Sequence, residues 1–167
     1  TRYLGIDIEY AIENEPLGTG GAIANALSLA NNNTVFLING DTFFDVDLAA
    51  LHAHHQISGS QLTLSLKPMQ HFERYGTVEL NGTRITAFNE KKPVTEGFIN
   101  GGIYIINRTI ITNAKLPGKF SFEKDIMEPG VHYLNMQAYI SDSYFIDIGI
   151  PEDYERAQKE LPEKFTC

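Results

Sequence analysis

Val35-Phe36-Leu37-Ile38-Asn39-Gly40-Asp41 carries four apolar residues, with no polar alternation, into an Asn-Gly turn and a carboxylate. An unbroken apolar run ended by a turn predicts a strand buried on both faces in a parallel sheet. Asp41 then falls just beyond the carboxyl end of a central strand, where open α/β sheets place their ligands. The competing reading is a turn aspartate that hydrogen-bonds its own backbone.

Upstream of this run, Leu4 to Ile12 alternates loosely and reads as a strand ending before Glu13-Asn14-Glu15-Pro16. Pro16-Leu17-Gly18-Thr19-Gly20-Gly21-Ala22 is a glycine-rich loop that opens a helix with apolar Ile23, Ala26, Leu27 and Ala30. Its glycines permit close backbone approach to a flat ligand, and helix N-terminal amides favour anions. A plain strand-to-helix turn explains it as well, and the Gly-Lys-Ser/Thr of a phosphate loop is absent. Downstream, Asp47 caps a short helix from Leu48 to about Ile57. That helix bears His52, His54 and His55, of which only His52 and His55 have metal-ligand spacing; solvated helix histidines are the better reading.

Gln61 to Met69 alternates as a further strand. Tyr75-Gly76-Thr77-Val78-Glu79-Leu80 and Arg84-Ile85-Thr86-Ala87-Phe88 flank Asn81-Gly82, a strong short-range hairpin signal. The hairpin delivers Asn89-Glu90-Lys91-Lys92-Pro93, a charged turn that is either ordinary surface or a holder of a sugar hydroxyl and a phosphate. Phe98 to Ile106 is an apolar strand entered through Asn100-Gly101-Gly102. Ser121 caps a helix with Glu123 in its first turn, and Tyr144-Phe145-Ile146 is the last strand, running into Asp147-Ile148-Gly149-Ile150. Pro151 begins the terminal helix. Strands and helices alternate around one inserted hairpin, so the fold class is α/β.

Composition narrows the function. The 167 residues suit a single domain, and 13 basic against 21 acidic residues give a charge of −8, which disfavours nucleic acid as a partner. An anionic substrate then needs a metal or a local basic group. The single cysteine, Cys167, excludes a disulfide within the chain and fits a reducing, cytoplasmic compartment. No run of about 18 apolar residues and no charged-then-apolar leader appears, so neither a membrane span nor a secretory signal is expected. Asp41 and Asp147, each ending an apolar strand of one expected sheet, suit Mg²⁺, a hard ion that takes one or two carboxylates and completes its octahedron with phosphate and water. With a lysine such as Lys91, that is sufficient machinery for phosphoryl or nucleotidyl transfer.

Pro16-Leu17-Gly18-Thr19-Gly20-Gly21-Ala22, Asn39-Gly40-Asp41, Tyr75-Gly76, Phe88-Asn89-Glu90-Lys91, Asn100-Gly101-Gly102-Ile103-Tyr104 and Asp147-Ile148-Gly149-Ile150-Pro151 stand in the order seen in sugar-1-phosphate nucleotidylyltransferases, and the chain resembles that family over nearly its whole length. Phe120-Ser121-Phe122-Glu123-Lys124-Asp125 looks most like the D-glycero-D-manno-heptose 1-phosphate guanylyltransferase branch, with mannose-1-phosphate guanylyltransferases next. The resemblance implies a Rossmann-like three-layer sandwich with a mixed, mostly parallel sheet. It implies transfer of a nucleoside monophosphate, GMP by the branch, from the triphosphate to a sugar 1-phosphate. Pyrophosphate is released, and the product is an NDP-sugar for cell-surface polysaccharides such as lipopolysaccharide. By the same resemblance Asp41 and Asp147 bind Mg²⁺, Gly20 and Gly21 lie against the base, Gly76, Glu90, Asn100 and Glu123 meet the sugar, and Lys91 holds its phosphate.

The family's N-terminal loop, of the form G-G-x-G-T-R-L followed by a Pro-Lys pair, is not in these residues, and the chain starts at Thr1 without Met. The expectation is therefore a single nucleotidyltransferase domain, 1–167, lacking its nucleotide-binding loop. Such a chain is expected to be catalytically silent alone, with apolar surface exposed along Val35 to Ile38, and to regain activity when extended upstream by roughly 60 residues, a size that completes an ordinary domain. Ile150 also stands where a threonine usually caps the last helix. Two other classes are carried: a nucleotide-sugar-dependent glycosyltransferase using Asp45-Val46-Asp47, and a non-catalytic sugar-nucleotide module. Homo-oligomerisation is left open.

Overall fold

The computed structural model describes residues 1–164. In chain order the elements are β1 (Arg2–Tyr3), β2 (Ile6–Asp7), α1 (Gly18–Leu27), β3 (Thr34–Ile38), β4 (Thr42–Phe44), α2 (Leu48–Ile57), β5 (Leu62–Phe72), β6 (Thr77–Asn81), β7 (Arg84–Asn89), β8 (Val94–Asn107) and α3 (Thr109–Thr112). A π-helical turn (Glu123–Met127) then runs into α4 (Glu128–Gly130), followed by β9 (Met136–Ile140), β10 (Phe145–Asp147) and α5 (Pro151–Lys164).

Six strands form one sheet in the order β3-β8-β5-β9-β7-β6, with β6 also pairing with β8. The long strand β8 organises it. Its residues alternate between two cores: Tyr104 and Ile106 face one that includes Leu27 of α1, Ile110 of α3 and Phe122, while Ile103 and Ile105 face another with Leu51 of α2 and Phe44 of β4. Side chains of a strand point alternately to opposite faces, so one apolar strand fills both layers of the interior. Leu62, Leu64 and Leu66 of β5 are fully buried in the first core. Each is worth about 1.5–3 kcal/mol against an exposed position. The expected three-layer α/β arrangement is present.

The pairing departs from expectation in one respect. β3, β5, β9 and β6 share a direction, as a mostly parallel sheet requires, but the reversed β8 lies between β3 and β5, and only the β5–β9 ladder is parallel. An apolar run reports burial, and burial does not encode the direction of the neighbour. β3 itself borders the sheet, paired antiparallel to β8 alone, so Val35 to Ile38 is not buried on both faces: Phe36 is 39% and Ile38 58% exposed. The segment Leu4 to Ile12 is likewise not one strand. Leu4 and Gly5 take positive φ and fold β1 and β2 into a tight hairpin.

The hairpin at Asn81-Gly82 forms as read, with Gly82 and Thr83 at its tip between the paired Asn81 and Arg84, and positive φ at Gly82. Asp47 caps α2, one carboxylate oxygen accepting the N–H groups of Ala49 and Ala50 at 2.9 Å.

His55 is not a solvated helix histidine. α2 lays it against β5, where it is buried, its Nδ1 2.8 Å from the Thr63 hydroxyl and its Nε2 3.4 Å from Asn107 Oδ1. The carbonyl of Asn107 requires a donor at Nε2, which leaves Nδ1 to accept from a hydroxyl, so the neutral ring is satisfied. Burial lowers its pKa from 6.5. Above pH 6.5 neither state is protonated and stability is full; as the pH falls from there through the lower folded-state value, the unfolded chain takes up the proton first and stability is lost. Urea-unfolding midpoints between pH 7.5 and 5 are expected to fall over that window, and less steeply in His55→Gln. An NMR titration that puts the folded His55 at or above 6.5 contradicts this.

Candidate functional site

The motif Asn100-Gly101-Gly102 marks a bulge. Leu64 pairs with Tyr104 and Leu66 with Asn100, so three residues of β8 lie opposite the single Ser65. A bulge bends its strand and re-aims the side chains beside it. Here Asn100 is turned into a cleft of about 590 Å³, where its Oδ1 accepts the Gly102 N–H at 3.0 Å. Gly102 has φ +76°, and a Cβ there would meet the Asn39 side chain at 3.1 Å, so both the turn and the fit to Asn39 demand glycine.

The cleft is walled on its other sides by the start and end of the β6–β7 hairpin and by the π-helical turn. It gathers Gly76, Glu90, Lys91, Asn100 and Glu123, every residue that the family resemblance assigns to a sugar phosphate. Lys124 and Glu128 line it too, and both escaped the sequence reading. Glu90 and Lys91 are exposed at its mouth. Lys91 and Lys124 enter no ion pair among those found in the described residues, which leaves two cations for an anionic ligand.

Glu123 is held firmly. Its Oε2 accepts from the hydroxyls of Thr19 at 2.7 Å and Ser121 at 2.9 Å, while the Thr19 hydroxyl accepts the Phe122 N–H. Ser121 caps as expected, its hydroxyl accepting the Lys124 N–H at 3.2 Å and its own N–H donating to Asp125. The turn that follows is π-helical rather than the α-helix anticipated. π-turns recur at functional sites because they spread side chains differently from an α-turn.

Gly20 and Gly21, read from the resemblance as base contacts, have other neighbours here. Both are buried; a Cβ on Gly20 would fall 2.2 Å from the Phe120 ring and one on Gly21 2.5 Å from the Gly118 carbonyl. Their N–H groups donate to the Phe120 carbonyl at 3.0 and 3.4 Å. Two of the first-turn donors of α1, which would attract an anion, are thus taken up by backbone. Close approach is the reason for these glycines, and the approaching surface in this structure is the 118–120 segment.

Asp41 and Asp147 do come together, though not at the ends of two strands of the main sheet. β10 pairs antiparallel with β4 in a separate two-stranded ribbon, Asp147 lies opposite Thr42, and the Ile148 N–H donates to the Asp41 carbonyl at 2.9 Å. Asp41 is exposed and Asp147 half-buried. Asp147 Oδ1 accepts the Gly149 N–H at 2.8 Å. No group of three or more His, Cys, Asp or Glu suited to a metal occurs among the described residues. Two hard carboxylates, with no third protein ligand, fit Mg²⁺ bound largely by phosphate and water. The pair Asp45-Val46-Asp47 does not compete, since Asp47 is spent on its helix cap.

Two tyrosines tie the carboxylates to the cleft. Tyr104 is buried, accepts the Asn100 amide N–H at 2.7 Å, and stacks edge-on against Phe122. Burial pushes its pKa up, with Glu123 and Asp41 adding to the effect and hydrogen bonds to the Asn100 and Asn39 side chains opposing it, so it stays a neutral phenol joined to Asn100 and Asn39. Tyr75, next to Gly76, shares a second cavity of about 300 Å³ with Asp147. Both tyrosines lie in motifs visible in the sequence, but only the folded chain shows what they join.

A family model described as nucleotidyl transferase matches residues 1–164. The chain is 52% identical over 160 residues to the D-glycero-alpha-D-manno-heptose 1-phosphate guanylyltransferase of Aneurinibacillus thermoaerophilus, covering 96% of this chain and 70% of that protein. It is 46% identical over 153 residues to the protein of the same description from Campylobacter jejuni, covering 91% of this chain and 66% of the relative. The crystal structure of HddC from Yersinia pseudotuberculosis complexed with GMP-PN superposes with a TM-score of 0.83 at 34% identity, covering 95% of this chain and 68% of that one. The chain thus spans about two thirds of the length of these relatives. No helix among the described residues is long and apolar enough to cross a membrane.

Proposed function

The chain belongs to the nucleotidyl transferase family, and on that premise we propose that it provides the sugar-phosphate cleft and the metal-binding carboxylates of a sugar-1-phosphate guanylyltransferase, with D-glycero-α-D-manno-heptose 1-phosphate as acceptor and GTP as donor. The observation that carries this reading is one cleft in which Glu90, Lys91, Asn100 and Glu123 converge, with Tyr104 hydrogen-bonded both to Asn100 and to Asn39, two residues before Asp41. The heptose and the guanine rest on what the relatives are named for and on the GMP-PN complex of HddC. Mannose 1-phosphate is the second acceptor in line.

In this reaction an oxygen of the sugar phosphate attacks the α-phosphate of GTP, the bond to the β-phosphate breaks, and pyrophosphate leaves with the electron pair. The nucleophile is anionic near neutral pH, so the protein needs no general base. Asp41 and Asp147 would hold a Mg²⁺ that neutralises and aligns the triphosphate. Glu90 and Glu123 offer acceptors for sugar hydroxyls, Asn100 an amide already fixed by Gly102 and Tyr104, and Lys91 a point charge for the phosphate. Fixed groups of this kind lower the barrier because they are oriented before the reaction begins. The product class serves cell-surface polysaccharide synthesis, and the cytoplasm is the compartment we assign.

The test is pyrophosphate release by the full-length protein from GTP with the heptose or mannose 1-phosphate. Release with neither sugar overturns the reading. Within it, Lys91→Ala is expected to raise KM for the sugar phosphate about tenfold or more, the worth of a charged hydrogen bond, while KM for GTP changes little. Equal rises in both would return Lys91 to the status of an ordinary surface lysine and make Lys124 the next candidate.

A further inference from the structure

Arg74, Tyr75 and Gly76 are consecutive, yet only Gly76 belongs to the sugar cleft. The other two point into the neighbouring cavity of about 300 Å³, which they line with Phe145, Asp147, Asp153 and Arg156. Asp153, in the first turn of α5, is 8% exposed and carries two guanidinium partners, Arg74 from the strand side and Arg156, at 2.9 Å, from its own helix. A nearly buried carboxylate between two arginines is costly to break from either side, because removing one partner leaves charge uncompensated. The Arg74 guanidinium also lies 5.5 Å from the centre of the Tyr75 ring, whose edge meets Phe145 of β10 at 6.1 Å. Tyr75 is thereby fixed on both sides.

We propose that Arg74 and Tyr75 are positioning residues for Asp147: the clasp Arg74–Asp153–Arg156 and the Tyr75 ring lock the end of β10 and the start of α5, so that one tripeptide sets both the sugar cleft, through Gly76, and the metal carboxylate. The Tyr75 side chain and the Asp147 carboxylate line the same cavity, which places the phenol hydroxyl beside the carboxylate as its outer partner. Metal ligands are commonly oriented by such outer partners, whose loss costs about 10- to 100-fold in metal affinity. The inference rests on the assignment of Asp147 as a metal ligand made above.

Mn²⁺ binding to the full-length protein, followed by the electron paramagnetic resonance signal of the free ion, separates the two claims. Asp147→Asn is expected to weaken binding at least tenfold. Tyr75→Phe, which keeps the ring and its packing, and Arg74→Met are each expected to weaken it about tenfold, with Arg74→Lys restoring part of the loss. Thermal midpoints accompany each measurement, and Tyr75→Phe decides the matter if Arg74→Met does not fold. Weaker binding in Asp147→Asn with Tyr75→Phe and Arg74→Met both within twofold of wild type overturns the positioning role. Unchanged binding in Asp147→Asn itself removes the metal assignment, and the positioning role falls with it.

Discussion

Asp147→Asn and Asp41→Asn are each expected to cut pyrophosphate release by the full-length protein at least a hundredfold, a loss of about 2.7 kcal/mol in transition-state stabilisation. Asparagine keeps the shape of aspartate and removes only the charge. In Asp147→Asn the side-chain carbonyl can still accept the Gly149 N–H, so the turn after β10 persists. The backbone bond from Ile148 to the Asp41 carbonyl is untouched in both variants, so the two segments stay in register. Neither aspartate belongs to a salt bridge found among the described residues, which means that no protein cation is stranded by the change. The thermal midpoint should therefore move little while turnover collapses. Near-normal turnover at limiting Mg²⁺ in either variant would show that the carboxylates serve the ribbon and not the metal.

The pair Asp41 and Asp147 was legible because each follows an apolar strand, but the way they meet was not. The sequence places both at the ends of strands in one sheet; the chain instead builds a small antiparallel ribbon from Thr42–Phe44 and Phe145–Asp147 and joins the aspartates across it. Local pattern reports which residues seek burial. Which strands pair across a separation of about a hundred residues is decided by tertiary packing, here Phe44 against Phe145, ring centres 5.6 Å apart, and no periodicity encodes it. For β3 the apolar run correctly predicts a strand but not an antiparallel neighbour, and the apolar surface expected along Val35 to Ile38 is seen at Phe36 and Ile38. Features set by neighbours in sequence fared better: the Asp47 cap, the Asn81-Gly82 turn and the proline at the start of α5 were read from a few adjacent residues. The residues proposed to hold the sugar phosphate were singled out chiefly by resemblance. Glu90 and Lys91 look like any exposed turn until β8 bends at its bulge and brings Asn100 opposite them.

Gly76→Ala is expected to damage both the fold and the cleft, and the comparison with a second glycine identifies the cause. A Cβ on Gly76 would lie 2.4 Å from the carbonyl oxygen of Asn89. That atom is backbone, so no side chain can swing away, and strand β6 must separate from the end of β7. Overpacking of this kind costs about 1–3 kcal/mol. The displacement falls on Asn89, immediately before Glu90 and Lys91, and a shift of an ångström there would misplace the groups proposed to face the sugar phosphate. Affinity for the sugar 1-phosphate, by calorimetry at saturating Mg²⁺, should fall at least tenfold, since misplacement of that size costs up to about a hundredfold in well-aligned sites. Gly82 has φ +61° with open space around it. Gly82→Ala meets only the strain of a left-handed alanine, about 1 kcal/mol, at a hairpin tip that does not line the cleft, and should bind the sugar phosphate as wild type does. If Gly76→Ala loses stability yet binds normally, as Gly82→Ala is expected to, the β6–β7 ladder tolerates the displacement without passing it to Glu90 and Lys91, and those residues are positioned by something other than the strand that delivers them.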